Sequence, residues 1–541
     1  MRIVHLNAGR LTWLVAGAGA AVLSFTACSD EFSGCQADKN CGAAAGAAGS
    51  AGASGSAGSA GTGGNSGVGG SAGVGGSAAG TGGAAGESGA AGADGGTPCD
   101  TTQSPTGESC LVSDTYGIFV APTGDDTKNG TMAEPVATIA KAISLAQLMG
   151  KFVVACDGTY DERLNITEGV QLYGGFKCPG AASAWTRETS GKATVAPTMR
   201  GVVLNINGTS KTAPVSIDNF EFDAQDGVDP GESSIAAFVN TPSTVALTNV
   251  KLVAGKGVNG ADGTVTDLMF PAQTDLNGNA ASGDTGGGGK VCTCADGATS
   301  KGGKGGDGGA VNATGGGAGS PALAGGAAGT FGAMCAGPGT GGTGSDASPQ
   351  SPAAGAQIIG SLSSAGWMGE PGASGATGTP GQGGGGGTGA DTGGGGGGGG
   401  CGGCGGAGAI GGGAGGSSIA LLVLASPLSL FSCELSASDA GNGGKGVAGQ
   451  AGQTQSGSAG VQTPDGCSGG KGGKGGAGGA SGGGAGGISV GIAWSGAPDP
   501  TPDNVTTTAT IQTGTAGLKG VGGVPTMNDG VAGSNVDVLP L

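Results

Sequence analysis

Apolar residues occur along this chain in short runs of three or four, each closed by Gly, Asp or Asn. Ile118-Phe119-Val120, Phe152-Val153-Val154-Ala155, Leu164-Asn165-Ile166 and Val170-Gln171-Leu172-Tyr173 are such runs. Their β-branched and aromatic residues predict strands, and their brevity suits the wall of a solenoid better than a sandwich. One segment has a different period. Pro135 opens a stretch with Val136, Ile139, Ala140 and Ile143 on one face and Gly150 at its end, which predicts an amphipathic helix. Pro122 to Gly130 is turn-rich, and Asp125-Asp126 within it read as turn residues rather than as a calcium site.

Further along, one pattern returns. Ser233-Ser234-Ile235-Ala236-Ala237-Phe238-Val239 leads through Thr244-Val245-Ala246-Leu247 to Leu252-Val253-Ala254-Gly255-Lys256-Gly257. Ser417-Ser418-Ile419-Ala420-Leu421-Leu422-Val423 leads through Leu428-Ser429-Leu430 to Ser438-Asp439-Ala440-Gly441. A third copy starts at Gly487-Ile488-Ser489-Val490 and ends at Ile511-Gln512-Thr513-Gly514-Thr515-Ala516-Gly517. Each copy is strand, turn, strand and a glycine-rich exit. The long inserts at 257–416 and 441–486 recur at one point of the repeat, so they are expected to project from one face of a stack. They carry no apolar core, and disorder is the expectation, with packed polyglycine-type helices as the alternative.

A family resemblance rests on the first of these segments. Ile118-Phe119-Val120-Ala121-Pro122-Thr123-Gly124-Asp125-Asp126, Glu134-Pro135-Val136-Ala137-Thr138-Ile139-Ala140-Lys141-Ala142-Ile143, Asp157-Gly158-Thr159-Tyr160 and Gly169-Val170-Gln171-Leu172-Tyr173-Gly174-Gly175-Phe176 resemble the opening of pectin-lyase-like right-handed parallel β-helix proteins. The resemblance covers residues 117–190, including Trp185-Thr186-Arg187, and continues beyond only as a rung pattern. It implies a short helix capping the first coil, and a fold on which some relatives are polysaccharide lyases or hydrolases.

The first residues change the expected compartment. Arg2 and Arg10 supply a positive segment before an apolar stretch, Leu11 to Phe25, that is too short and too rich in Ala and Gly for a membrane span and, with a Cys following, reads as a signal peptide. Leu23-Ser24-Phe25-Thr26-Ala27-Cys28 resembles a bacterial lipobox, with Phe25 departing from the usual aliphatic residue. The resemblance implies lipidation of Cys28, with Ser29 permitting sorting to an outer membrane; simple secretion is the alternative. Loss of residues 1–27, which hold two Arg and no acid, takes the formal charge from -17 to -19. Such a chain repels phosphate backbones, so nucleic acid is not an expected partner.

Gly makes up 135 of 541 residues and aromatics only 3%, so only part of the chain is expected to fold around a core. Residues 42–96 are nearly all Gly, Ala, Ser and Thr and read as a flexible tether. Fourteen Cys in an exported chain point to disulfides. Cys35 with Cys41, Cys99 with Cys110 and Cys156 with Cys178 are local candidates. With Cys28 lipidated, an odd number remains and one thiol is left over.

The candidate chemistry is sparse. His5 is the only His and lies in the signal peptide, which removes Ser-His-Asp and Cys-His nucleophiles and nearly all zinc hydrolase sites from the mature chain. No catalytic residue, metal ligand or cofactor is assigned. Asp218, Glu221 and Asp223 are the candidates for an acidic groove; their alternation with Ile217, Phe220 and Phe222 makes outward-facing, solvated acids the simpler reading, and no Arg or Lys lies between Lys211 and Lys251 to act as base. Cys401-Gly402-Gly403-Cys404 and Cys292-Thr293-Cys294 read as disulfide staples of the inserts rather than a thioredoxin-like or metal site. Lys301-Gly302-Gly303-Lys304 and Lys471-Gly472-Gly473-Lys474 lack the spacing of a phosphate-binding loop. Glycine at every third position from Gly366 to Gly381 is too short and too poor in Pro for collagen.

Together these readings predict an all-β chain: a small right-handed parallel β-helix with an N-terminal capping helix and a long disordered Gly-rich tether and inserts. Its segments are a signal peptide (1–27), a tether (28–109), N-terminal coils (110–255), an insert (256–416), a coil (417–440), an insert (441–486) and a terminal coil and tail (487–541). The expected role is a non-catalytic, structural or adhesive surface lipoprotein of the outer membrane or cell surface. Its partners are the membrane, through the lipid anchor, and extracellular glycans as candidate ligands. A β-helix polysaccharide lyase or hydrolase and a passive glycine-rich coat are the alternatives.

Overall fold

In a computed structural model of the chain, residues 99–178, 184–188, 190–208, 213–498 and 509–541 are described. Cys28, Cys35, Cys41 and the tether at 42–96 lie outside them.

The short runs do form strands, and the strands assemble into three parallel sheets. The first contains Gly117–Val120, Phe152–Cys156, Val170–Lys177, Val215–Asp218, Val245–Thr248 and Leu428–Phe431 in that order. Gly158–Tyr160, Ala193–Val195, Phe220–Asp223, Lys251–Ala254, Cys433–Ala437 and Ala509–Gln512 make the second. The third holds Leu164–Ile166, Leu204–Ile206, Ser234–Val239, Ser418–Leu424, Ser489–Ser495 and Asn535–Pro540. From Phe152 to Ala254 the chain visits first, second and third sheet in turn, and each circuit adds one strand to each.

Register explains why such short strands suffice. Ile118, Val153, Leu172, Ile217, Leu247 and Leu430 are successive partners in the first sheet. In the second sheet Tyr160, Val195, Phe222, Leu252, Leu435 and Ile511 stand in the same relation. Except for the half-buried Ile511 at the end, all belong to one buried cluster that also takes residues from the third sheet. Each fully buried Val, Leu, Ile or Phe contributes roughly 1.5–3 kcal/mol, and stacking repeats that gain at every rung. The three sequence copies stack directly: Ser234 pairs with Ser418 and Ser418 with Ser489, while Lys251 pairs with Glu434 and Glu434 with Thr510.

The first and second sheets meet at corners of one or two residues. Asn219, Asn249 and Ser432 occupy them with φ of 63°, 52° and 53°. Asn enters this left-handed region more readily than most residues. The Asn219 amide also donates to the Gly191 carbonyl at 2.7 Å.

The helix begins later than its sequence pattern suggests, at Ile139, and runs to Met149. Val136 is held extended beside Val120, exchanging backbone hydrogen bonds with Phe119 and Ala121, so the residues after Pro135 cannot coil. Ala140 faces solvent; the buried face is Ile139, Ala142, Ile143 and Ala146. Gly150 ends the helix at φ 64° as a left-handed cap. Its N-cap residue Thr138 accepts from the Lys141 amide at 3.2 Å, and the other amides at its start are satisfied by side chains from elsewhere. Asp126 accepts from the amides of Ala137 and Thr138 at 2.8 and 2.9 Å, and Glu162, one circuit on, accepts from Ile139 and Ala140 at 2.7 and 3.0 Å. Glu162→Ala strips two of these amides of their partner, and a loss of about 1–2 kcal/mol is expected in denaturant melts, against a few tenths for Lys141→Ala. Equal midpoints for the two variants would show that the cap adds nothing.

The inserts overturn the expectation of disorder. They leave between the second and third sheets on successive circuits, at residues 224–233, 255–417, 438–488 and 513–534. Their backbones bond to one another at every third residue. The amides of Gly372, Gly375, Gly378, Gly381, Gly384 and Gly387 donate to the carbonyls of Gly412, Ala409, Gly406, Gly403, Gly400 and Gly397, an antiparallel pair. Gly400, Gly403, Gly406, Ala409, Gly412 and Gly415 in turn donate to Gly470, Gly473, Gly476, Gly479, Gly482 and Ala485, a parallel pair. Gly470, Gly473, Gly476, Gly479 and Gly482 close the triangle on Gly385, Gln382, Thr379, Ala376 and Ala373, and all these bonds measure 2.7–3.1 Å. A three-residue bonding repeat is that of the polyproline II helix, which has no internal hydrogen bonds and directs its amides sideways. Isolated, such segments gain nothing; packed, each satisfies its neighbours.

Glycine is required because the helices touch backbone to backbone. A Cβ on Gly399 would lie 1.9 Å from the Gly384 oxygen, and one on Gly302 would lie 1.8 Å from that of Gly399. At the rim of the array only two positions in three are enclosed. In Lys301-Gly302-Gly303-Lys304-Gly305-Gly306 the lysines are exposed and the glycines buried, so the Lys-Gly-Gly pattern is the signature of a threefold helix with one wet face. The collagen-like stretch after Gly366 divides: Gly366–Gly369 pairs with Gly360–Ser363 as a β-hairpin, and Gly372 to Gly381 enter the array. That hairpin folds back over the third sheet. Ile359, Leu362 and Trp367 cover Ile235, Phe238, Ile419 and Leu422, and the Trp367 indole donates to the Ser417 hydroxyl at 2.9 Å.

Five disulfides close the described part. Cys99–Cys110 and Cys156–Cys178 are the two local pairs expected there. Cys292–Cys401, Cys294–Cys404 and Cys335–Cys467 all tie the array. Cys401 and Cys404 are one threefold turn apart and therefore share a face, and Cys292 and Cys294 lie on and just after the strand Val291–Thr293. The leftover thiol among the described residues is Cys433, buried in the core with its thiol bonded to the Leu247 carbonyl at 3.3 Å; burial pushes its pKa up.

Candidate functional site

The outer face of the second sheet carries charged side chains from several neighbouring strands. Alternation along Phe220–Asp223 puts Phe220 and Phe222 inside and Glu221 and Asp223 outside. Because the strands are in register, Thr159, Thr194, Glu221, Lys251, Glu434 and Thr510 form one outward row, about 4.8 Å between neighbours. Asp223, Val253, Ser436 and Gln512 form the next row. Lys251, Val253, Glu434, Ser436, Thr510 and Gln512 line a groove of about 460 Å³.

Within the rows the charges are unequally satisfied. Lys251 donates to Glu221 at 2.7 Å, and this hydrogen bond holds the ammonium pKa up. Burial raises the Asp223 carboxyl above its usual range, with the Glu221 charge adding to the effect. At the corner, the Lys192 ammonium donates to the Asn249 carbonyl and, at 3.4 Å, to the Asn219 side-chain oxygen. Burial lowers the Lys192 pKa, while Glu434 and Glu221 oppose that.

The three acids singled out in the sequence do not converge. Asp218 ends a strand of the first sheet, is 7% exposed, and accepts from Arg187 at 3.3 Å and from Asn249 at 3.2 Å. Asn219 turns the corner between it and Glu221. What the sequence missed is the amines: Lys192 and Lys251 stand near these acids because one circuit of the chain brings distant residues to the same height. Among the described residues no group of three His, Cys, Asp or Glu side chains is placed to hold a metal ion, and no helix is long and apolar enough to cross a membrane.

Neither a curated protein nor a solved structure matches the chain. Over residues 122–285, from the turn after the first strand into the first insert, the chain is similar to a family whose model is described as "Protein of unknown function (DUF1565)".

Proposed function

We propose that this protein is a non-catalytic, lipid-anchored surface protein, structural or adhesive in role, that binds extracellular glycans on the outer face of its second sheet. The three-sheet stack is a right-handed parallel β-helix of the pectin-lyase-like kind, held at an outer membrane or cell surface through Cys28. One observation carries the reading: the open groove with hydroxyl, amide and charged groups repeated strand after strand, a surface suited to an extended polymer with regularly spaced hydroxyls. The Glu221–Lys251 pair uses up the acid and the base nearest each other, which favours binding over turnover.

The lyase or hydrolase reading has its own support in Lys192, whose lowered pKa suits a general base. Retention on a panel of immobilised polysaccharides, with product analysis of the same mixtures, separates the two. Retention without new chain ends is the expected result; release of unsaturated or shortened products would establish the enzyme instead. The anchor is tested by metabolic labelling with palmitate, where label in the wild type and none in Cys28→Ala is expected; equal labelling of both would remove the anchor.

A further inference from the structure

We infer that the glycan bound on the second sheet carries free amino groups: it is a polymer containing unacetylated amino sugars, not a neutral or uronic-acid chain. The inference rests on the glycan-binding reading and adds the charge of the ligand.

Its basis is the inventory of unused donors and acceptors on this face. Both ammonium groups are engaged, Lys251 by Glu221 and Lys192 by the Asn249 carbonyl. Two carboxylates are not: among the described residues neither Glu434 nor Asp223 has an ion-pair or side-chain hydrogen-bond partner. They stand on neighbouring rows, separated by the Lys251–Ala254 strand, with Thr510 and Gln512 completing the groove on the Glu434 side. An ionised carboxylate only accepts hydrogen bonds, so the surplus capacity of the site is for cationic donors. A protonated amine makes a charge-assisted bond there worth roughly 1.5–3 kcal/mol, about tenfold or more in affinity. An acetylated amine gives up that charge. A uronic acid meets three carboxylates, Glu221, Asp223 and Glu434, against two ammonium groups, Lys192 and Lys251, on a chain whose net charge is already -17.

The test uses the full chain with glucosamine oligomers, N-acetylglucosamine oligomers of the same length and oligogalacturonate. Glucosamine oligomers are expected to bind at least about tenfold more tightly than the acetylated set, with oligogalacturonate weakest. Glu434→Gln and Asp223→Asn should each erase most of that preference, and Lys251→Gln, by freeing Glu221, should increase it. Circular dichroism confirms that each variant is folded. Equal binding of the first two ligands, preference for oligogalacturonate, or an unchanged preference in E434Q and D223N would overturn the inference and leave glycan binding standing. No binding of any glycan from the wider polysaccharide panel would overturn both.

Discussion

Gly399→Ala, one methyl group in a chain of 541 residues, will loosen the glycine-rich array while leaving the three sheets intact. The added carbon would sit 1.9 Å from the Gly384 oxygen and 2.5 Å from its carbonyl carbon. Neither atom belongs to a side chain that could rotate away. Gly384 itself is held on Gly400, Gly400 on Gly470 and Gly303 on Gly384, so relief requires neighbouring helices to separate and lose a column of bonds. Overpacking of this kind costs typically 1–3 kcal/mol, and a rigid backbone contact belongs at or above the upper end. Lys301→Ala, an exposed position where the strand Thr299–Lys301 runs into a neighbouring helix, is the matched control and should stay within about 0.5 kcal/mol. Amide hydrogen exchange reads the difference directly. Gly303, Gly384 and Gly400 should exchange much faster in G399A than in K301A, with the amides of Phe220–Asp223 and Ser418–Leu424 unchanged. Unaltered protection in G399A would mean that the helices are not in backbone contact.

Removing the three disulfides of the array will have the largest effect on stability. Cys292–Cys401, Cys294–Cys404 and Cys335–Cys467 close loops of 109, 110 and 132 residues. In the chain-entropy model a loop of that length is worth about 4.7 kcal/mol, less for the second of the two adjacent bridges because the first has already closed its loop. The total, about 8–10 kcal/mol, rivals the whole stability of an ordinary domain. The array has little to set against that loss, since its only buried apolar cluster is Leu276 with Cys292 and Cys401. With all six cysteines changed to Ser, limited proteolysis should cut first between residues 265 and 410 and spare the sheets up to Ala254. A digestion pattern matching the wild type would show that backbone bonding alone sustains the array.

How much was legible beforehand can be judged element by element. The rungs were, because inward side chains in stacked strands must be apolar at matching heights, and so Ser233–Val239 and Ser417–Val423 look alike and pair in register. Cys99–Cys110 and Cys156–Cys178 were legible because a short separation limits the choice of partner. The start of the helix was misplaced because Val136 obeys a partner strand, not its own helical spacing. Glu221 and Asp223 were correctly turned outward, but Asp218 was grouped with them across a corner that only Asn219's left-handed backbone reveals.

By itself the sequence determined which strand residues face inward, where the repeat leaves the stack, and which cysteines pair locally, since each of these follows from short-range alternation or spacing. Only the tertiary structure decided that the glycine tracts are ordered and that Lys192 and Lys251 meet the acids of the second sheet. The physical reason is common to both: a polyproline II segment has no internal hydrogen bond, and a three-residue strand has no stability of its own. What each becomes depends on neighbours far away in the chain.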